Sequence, residues 1–319
     1  MAKAYQHGIY PRSEDVVAAT RGLERGRTSP DEVEIQFKRD REDVIQAQQE
    51  ARLDYFSDGL LRWQDIFRPL AETVEGMEAR TLVRWFDNNS FFRAPEPPEE
   101  LRLRAPLPAV FDDHADIPEP RVATLPSPFL FSRAAQTTRG RNELMVELAQ
   151  GLLRPVAQAL AARGYELIHL QEPWLVYFGI GPEDWSPFAQ ALGAVKDGLA
   201  GSDAKLVLHT YFGDAAPYAA HLRELPVDAV GFDFVQTDPE ALGTDWPVGV
   251  LAGVMDGRSS PIEPIEQTAQ FVRQIFETLS TPDLYLSSNC ELEYLPRDIA
   301  RQKVARLGEV SARLKEVLA

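Results

Sequence analysis

Eight short runs that are apolar on both faces punctuate the chain, at residues 8–10, 54–56, 122–125, 167–170, 206–209, 229–232, 248–254 and 284–286. Between them lie longer stretches in which apolar residues return every three or four positions, at 143–162, 187–199 and 265–279. Runs apolar on both faces predict strands of a parallel sheet buried on both sides, and the intervening period predicts helices that cover it. A helix is also predicted from Ser29-Pro30-Asp31-Glu32, an N-cap serine, a proline in the first turn and a glutamate spaced to close a capping box, running to about Ala51. After Pro296, the spacing of Ala300, Val304, Leu307, Val310, Leu314 and Val317 predicts a closing amphipathic helix. Eight strand–helix units point to an α/β fold of the closed (β/α)8 TIM-barrel type.

One region departs from this rhythm. Residues 82–86 and 90–93 flank a turn at Asn88-Asn89, and nine prolines follow from Pro95 to Pro128. This reads as a hairpin and an extended, proline-rich loop inserted at about residues 80–120, after the second strand. The insertion is too short for a unit of its own, so a single domain over residues 1–319 is expected.

Composition narrows the function. With 49 acidic against 33 basic side chains the formal charge is −16, which repels a phosphate backbone and argues against nucleic acid as a partner. The single cysteine excludes a disulfide framework and fits a reducing, cytoplasmic setting. Neither a leader-like N-terminus nor a run of eighteen apolar residues occurs, so no membrane association is expected.

In a barrel the chemistry gathers where the strands end. Here the expected strand ends carry Arg12 and Ser13, Ser57-Asp58-Gly59, Ser127, Gln171-Glu172-Pro173, His209-Thr210-Tyr211, Asp233, Asp256-Gly257-Arg258 and Asn289-Cys290. His209, Asp233 and Cys290 together offer imidazole, carboxylate and thiolate, a donor set that zinc accepts. Plainer roles are open for each: a lone cysteine is commonly a buried apolar residue, strand-end aspartates commonly cap helices, and Trp85, Phe86, Phe91 and Phe92 can simply pack the hairpin onto the rim.

Taken together, the segments GIYPRS (8–13), RWFDNNSFFR (84–93), LQEPWL (170–175), HTYFGD (209–214), LPVDAVGFDFV (225–235), GVMDGRSSP (253–261) and SSNCELEYLPRDIARQKVARL (287–307) resemble the cobalamin-independent methionine synthase family over nearly the whole chain. Its length fits a short, single-barrel form, with several segments more similar to the family's N-terminal barrel. The resemblance implies methyl transfer to a thiol, homocysteine foremost, activated by zinc. It implies His209, Asp233 and Cys290 as ligands, with Tyr211 standing where the family has a cysteine. Glu172 and Asp256 become candidate catalytic carboxylates, and Ser13, Asp58, Gln171 and Trp85 candidate substrate contacts. The implied donor is methyltetrahydrofolate or a methyl-corrinoid protein. The chain departs from the family pattern at Gln171, where an aspartate holds the amino group, at Leu60, where an acidic residue is usual, and near Arg258 and Ser259, where a histidine is missing. Two alternatives follow from these departures: a zinc-dependent transferase acting on another thiol, and a non-catalytic binding or partner barrel.

Overall fold

The strands form because their sequences offer branched and aromatic side chains to both faces, and the sheet they build is buried almost throughout. The computed structural model describes residues 2–105, 111 and 116–318. Its main sheet has seven strands, all parallel: β1 (Lys3–Ala4), β4 (Arg121–Pro126), β5 (Tyr165–Gln171), β6 (Lys205–Thr210), β7 (Ala229–Asp233), β8 (Gly249–Met255) and β9 (Leu284–Ser288). They lie side by side in the order β1-β9-β8-β7-β6-β5-β4. Between β1 and β4, the two edges of this row, residues 55 and 56 make single parallel bridges, Tyr5 to Tyr55 and Phe56 to Arg121.

Two expectations are corrected here. The first strand is not at residues 8–10 but at Lys3–Ala4, because Gly8 takes a left-handed φ of +69° that ends the extended run and turns residues 8–13 into a loop. The run at 54–56 contributes the two bridges rather than a strand of the sheet.

Eleven helices are described. After β1 come α1 (Glu14–Glu24), α2 (Pro30–Glu50) and α3 (Arg68–Glu72). Later in the chain follow α4 (Pro128–Ala134), α5 (Arg141–Leu148), α6 (Arg154–Ala162), α7 (Pro173–Phe178), α8 (Trp185–Asp197), α9 (Ala219–Leu222), α10 (Ile265–Leu279) and α11 (Arg297–Leu318). The Ser29 hydroxyl accepts from Glu32 N while the Glu32 carboxylate accepts from Ser29 N, which closes the capping box of α2. One π-helical turn, Ala149–Leu153, joins α5 to α6, so the long helical stretch read from sequence is continuous but underwound at its centre.

The sheet divides two kinds of core. Ile168, Leu170, Leu206, Leu208, Val230 and Phe232 pack outward with the apolar stripes of the helices. On the inner face, Tyr5, Tyr55, Val122, Leu167, Val207, Ala229, Leu251 and Tyr285 form a separate buried layer. Strand alternation then fixes what lies two residues further along, above that layer: His7, His169, His209, Gly231, Gly253 and Ser287.

Strands β2 (Glu78–Arg84) and β3 (Phe91–Glu96) pair antiparallel as a separate hairpin. Its tip lies over the rim: Phe86 stacks on Phe178 at 5.5 Å and meets Trp174 and Phe212 edge-on. Of the proline-rich stretch expected beyond it, residues 106–110 and 112–115 lie outside the described residues.

Candidate active site

At the carboxyl ends of the strands, Glu291 is the carboxylate on which three side chains converge. Glu291 accepts from Gln171 Nε2 and, at 3.2 Å, from the Tyr211 hydroxyl through one oxygen, and from the Tyr294 hydroxyl at 2.6 Å through the other. Burial raises its pKa despite these three donors. Glu293 lies close by and burial, with Glu291 adding repulsion, pushes it up to about 8. Both line a cleft of about 60 Å³, together with Ile9, Asp65, Trp85 and Phe92. Such a space takes a small polar group or a few waters.

Asp233 is the second acceptor of the rim. It takes hydrogen bonds from Asn289 Nδ2 (3.0 Å), Val235 N (3.0 Å) and Phe212 N (3.3 Å), and burial nonetheless pushes it up to about 6. Gln171 is buried and committed to Glu291, where a family aspartate would meet an ammonium group.

The other expected residues have different employment. Ser13 caps α1, its hydroxyl accepting from Val16 N at 3.2 Å, and its own N–H donates to Asp40. Asp58 accepts from Leu60 N at 2.9 Å and Asp256 from Arg258 N at 2.9 Å, each pinning a turn. Trp85 is buried edge-on among Phe67, Phe86 and Phe92, so its ring faces are packing surface rather than a stacking platform.

Glu172 sits at the junction of two helices. It is fully buried and caps two helices at once: Oε1 accepts from Leu175 N in α7 at 2.9 Å, and Oε2 accepts from Leu130 N in α4 at 3.0 Å and from the Ser127 hydroxyl. A carboxylate so enclosed holds two helix N-termini in place.

The expected metal ligands do not converge. Among the described residues, the group of three or more His, Cys, Asp or Glu side chains close enough to share an ion is His7, His169 and His209, all buried, with ligand atoms within 4.8 Å of one another. Asp233 and Cys290 are not part of it. The reason is local: Asn289 turns inward to bond Asp233, and Cys290 packs beside Gly257, where an added Cβ would come within 2.7 Å of its sulfur. Burial first, then Glu291 and Asp233, push the Cys290 thiol well above its ordinary value, so it behaves as an apolar core residue. Tyr211 turns its hydroxyl to Glu291, with its own pKa raised by burial. Sequence reasoning missed His7 and His169. The signal was available in register: each of Tyr5, Leu167 and Val207 is followed two residues on by a histidine, on the same inward face.

A curled parallel sheet, wrapped in helices and carrying its ionisable groups at the strand ends, is the build of a barrel-type α/β enzyme. The chain belongs to the cobalamin-independent synthase family, matching over residues 59–280 the family described as "Cobalamin-independent synthase, N-terminal domain". It is similar to methionine synthase of Saccharolobus solfataricus, 25% identical over 98% of this chain and 94% of that one. Methionine synthase of Sulfolobus acidocaldarius is 23% identical over 98% and 91%. Among solved structures, a B12-independent methionine synthase from Shewanella sp. in complex with selenomethionine superposes with a TM-score of 0.77 at 17% identity, covering 99% of this chain and 98% of its own. A methyltransferase from Methanosarcina mazei superposes with a TM-score of 0.61 at 12% identity, covering 100% and 94%. No helix among the described residues is long and apolar enough to cross a membrane.

Proposed function

We propose that this chain is a B12-independent methyltransferase of the methionine synthase type, a single (β/α)8 barrel domain in which residues 55–56 serve as the eighth stave, and that it methylates a thiol, homocysteine before others. The observation that carries this reading is the gathering of Gln171, Tyr211, Asp233 and Glu291 at one end of a parallel sheet, in a chain that belongs to this family.

In the reaction the thiol sulfur forms a bond to the methyl carbon while the donor's bond to that carbon breaks, the electron pair staying with the donor and the thiol proton passing to a base. Zinc, when bound, supplies thiolate formation at neutral pH. His209, Asp233 and Cys290 lie too far apart to share that ion in this arrangement. The side chains at the rim act directly. Glu291 and Glu293 line the cleft with carboxyl oxygens for the ammonium group of an amino-acid thiol, whose positive charge would draw their raised pKa values back down, and Gln171 hydrogen-bonds Glu291 so that its carboxyl group is held at a fixed angle. Asp233 serves as proton acceptor. The methyl donor, methyltetrahydrofolate or a methyl-corrinoid protein, approaches past the aromatic hairpin tip at Phe86.

The test is methionine formation from homocysteine with each donor in turn, repeated with Glu291→Gln. Methionine appearing with one donor, and a raised KM for homocysteine in the variant, supports the reading. A different thiol methylated in preference to homocysteine favours a second reading, a transferase for another thiol, which the replacement of acidic residues by Gln171 and Leu60 supports. No product from any thiol overturns both and leaves a binding barrel.

A further inference from the structure

The hairpin of β2 and β3 ends in a tip that holds its own shape. Trp85 N donates to the carbonyl of Ser90 at 2.9 Å, and Asn88 N to that of Trp85 at 3.1 Å. Arg84 reaches across the turn, its Nε donating to the Asn88 carbonyl at 2.7 Å and its Nη2 to the Asp87 carbonyl and to Asn89 Oδ1, each at 3.3 Å. Little ties this unit to the body of the protein. Among the described residues, the one hydrogen bond from residues 86–90 to anything beyond the hairpin runs from Arg258 Nη1 to Asp87 Oδ1, at 3.2 Å. Phe86 adds ring contacts with Trp174, Tyr177, Phe178 and Phe212.

The seated arrangement is costly for the tip itself. Phe86 takes a left-handed φ of +50°, which a bulky side chain rarely adopts. Trp85 Nε1, Asn88 Nδ2 and Ser90 Oγ are shut away from solvent without a hydrogen-bond partner. Buried polar groups are normally paired, and the indole nitrogen can only donate, so these atoms gain partners when water reaches them. None of the unpaired atoms lies in β2 or β3. The strands below the tip are held firmly instead, with Arg93 N donating to Asp65 Oδ2 at 3.2 Å and Phe92 packed on Phe67 at 5.1 Å. Under the tip lies the cleft of about 60 Å³, which has Trp85, Ser90 and Phe92 as one wall and Ile9, Glu291 and Glu293 as another.

Arg258 is anchored from the opposite side. Its N–H donates to Asp256 Oδ1 at 2.9 Å, Asp256 N donates to Glu263 Oε1 at 2.8 Å, and that oxygen also accepts from the buried Lys303 ammonium at 2.5 Å. The guanidinium lies over the Phe212 ring, 4.7 Å from its centre. A self-contained tip that is strained and unsatisfied where it sits, and is held there through one arginine on a fixed loop, has two arrangements open to it. We propose that residues 85–90 form a lid over the cleft and that Arg258 is its latch. Seated, the lid encloses the acceptor; lifted, it admits the substrates and lets water onto Trp85, Asn88 and Ser90. The inference rests on reading this cleft as the acceptor's site, and the motion itself is measurable without turnover.

The test is fluorine NMR of the full chain labelled with 5-fluorotryptophan, in H2O and in D2O, with the Trp85 signal assigned among the five tryptophans by Trp85→Phe. A lifting lid gives that signal a solvent isotope shift that grows with the open population. Arg258→Gln removes an ion pair and a cation–π contact, so it should raise the open population about 3- to 30-fold. Asp87→Asn removes the ion pair alone and should raise it less, with little added effect in the double variant, because both act through one contact. Saturating homocysteine should draw the Trp85 signal of Arg258→Gln back toward its seated position. A Trp85 signal blind to solvent in wild type and both variants, or all tryptophan signals moving together, overturns the lid. So does opening that homocysteine leaves unchanged in a protein that turns it over. Opening in Arg258→Gln of a protein that methylates no thiol would keep the lid and remove the methyl-transfer reading.

Discussion

Replacing Glu172 by alanine takes away the one group that α4 and α7 share at their N-termini. Leu175 N then loses its acceptor, a cap worth about 0.5–2 kcal/mol. The buried Ser127 hydroxyl loses its carboxylate, a further cost of about 1–3 kcal/mol. Leu130 N is spared, because Ser127 Oγ still accepts from it at 3.0 Å. With the lost contacts of the buried stem, the total is about 3–5 kcal/mol, a large share of the roughly 5–15 kcal/mol that holds a domain together. Tm should fall by on the order of 10 °C, read by circular dichroism. Glu172→Gln keeps the volume and one acceptor oxygen, and should cost only about 1–2 kcal/mol while leaving turnover nearly intact. The pH profile adds a second reading. Burial pushes the Glu172 carboxyl up to about 7 from 4.5, so between those values the unfolded chain releases a proton that the folded one keeps. Native stability therefore falls as pH rises through that window, and the slope from this group disappears in Glu172→Gln. An alanine variant with unchanged Tm would refute the double cap. A glutamine variant with unchanged Tm but turnover down about 100-fold would make Glu172 a general acid–base instead.

Two further outcomes follow from the rim. Gly8→Ala places a Cβ at a left-handed φ and within 2.7 Å of Gln171 Nε2 and Glu291 Cβ, so it should destabilise by about 2–4 kcal/mol in urea unfolding and pry the Gln171–Glu291 pair apart. Asp233, pushed up to about 6 from 3.8 by burial, holds its proton longer in the folded chain, so the stability of wild type relative to Asp233→Asn should decline as pH rises from about 4 to 6, by at most about 3 kcal/mol; a relative stability that climbs over that range would contradict its burial.

The inner and outer faces of β4 to β9 could be read from the chain itself, because runs such as 167–170 and 229–232 are apolar on both sides and only a doubly covered parallel strand has use for that pattern. The helices were legible for the same reason of period, with α10 ending where its apolar spacing ends and α2 beginning at its capping box. What pattern alone misplaced was the start: Gly8-Ile9-Tyr10 is as apolar as a strand, and only the backbone turn at Gly8 moves the strand back to Lys3–Ala4. The family, too, was legible, since its motifs are strung along the sequence.

The candidate sites were not, because each depends on distance across the curled sheet. Nothing local distinguishes a carboxylate that meets substrate from one that caps two helices, and Glu172 becomes the second only because Ser127 and Leu130, some forty residues earlier, end up beside it. Nor does a sequence say which of two neighbouring residues at a strand end turns inward: Asn289 does, and Cys290 is thereby given to the core. His7, His169 and His209 come from the first, middle and later parts of the chain, and the curl of the sheet brings their ring nitrogens within 4.8 Å of one another. Residue type and period determine the elements because those are local free-energy choices. Which side chains share a site is decided by the curvature and register of the sheet, which belong to no single segment.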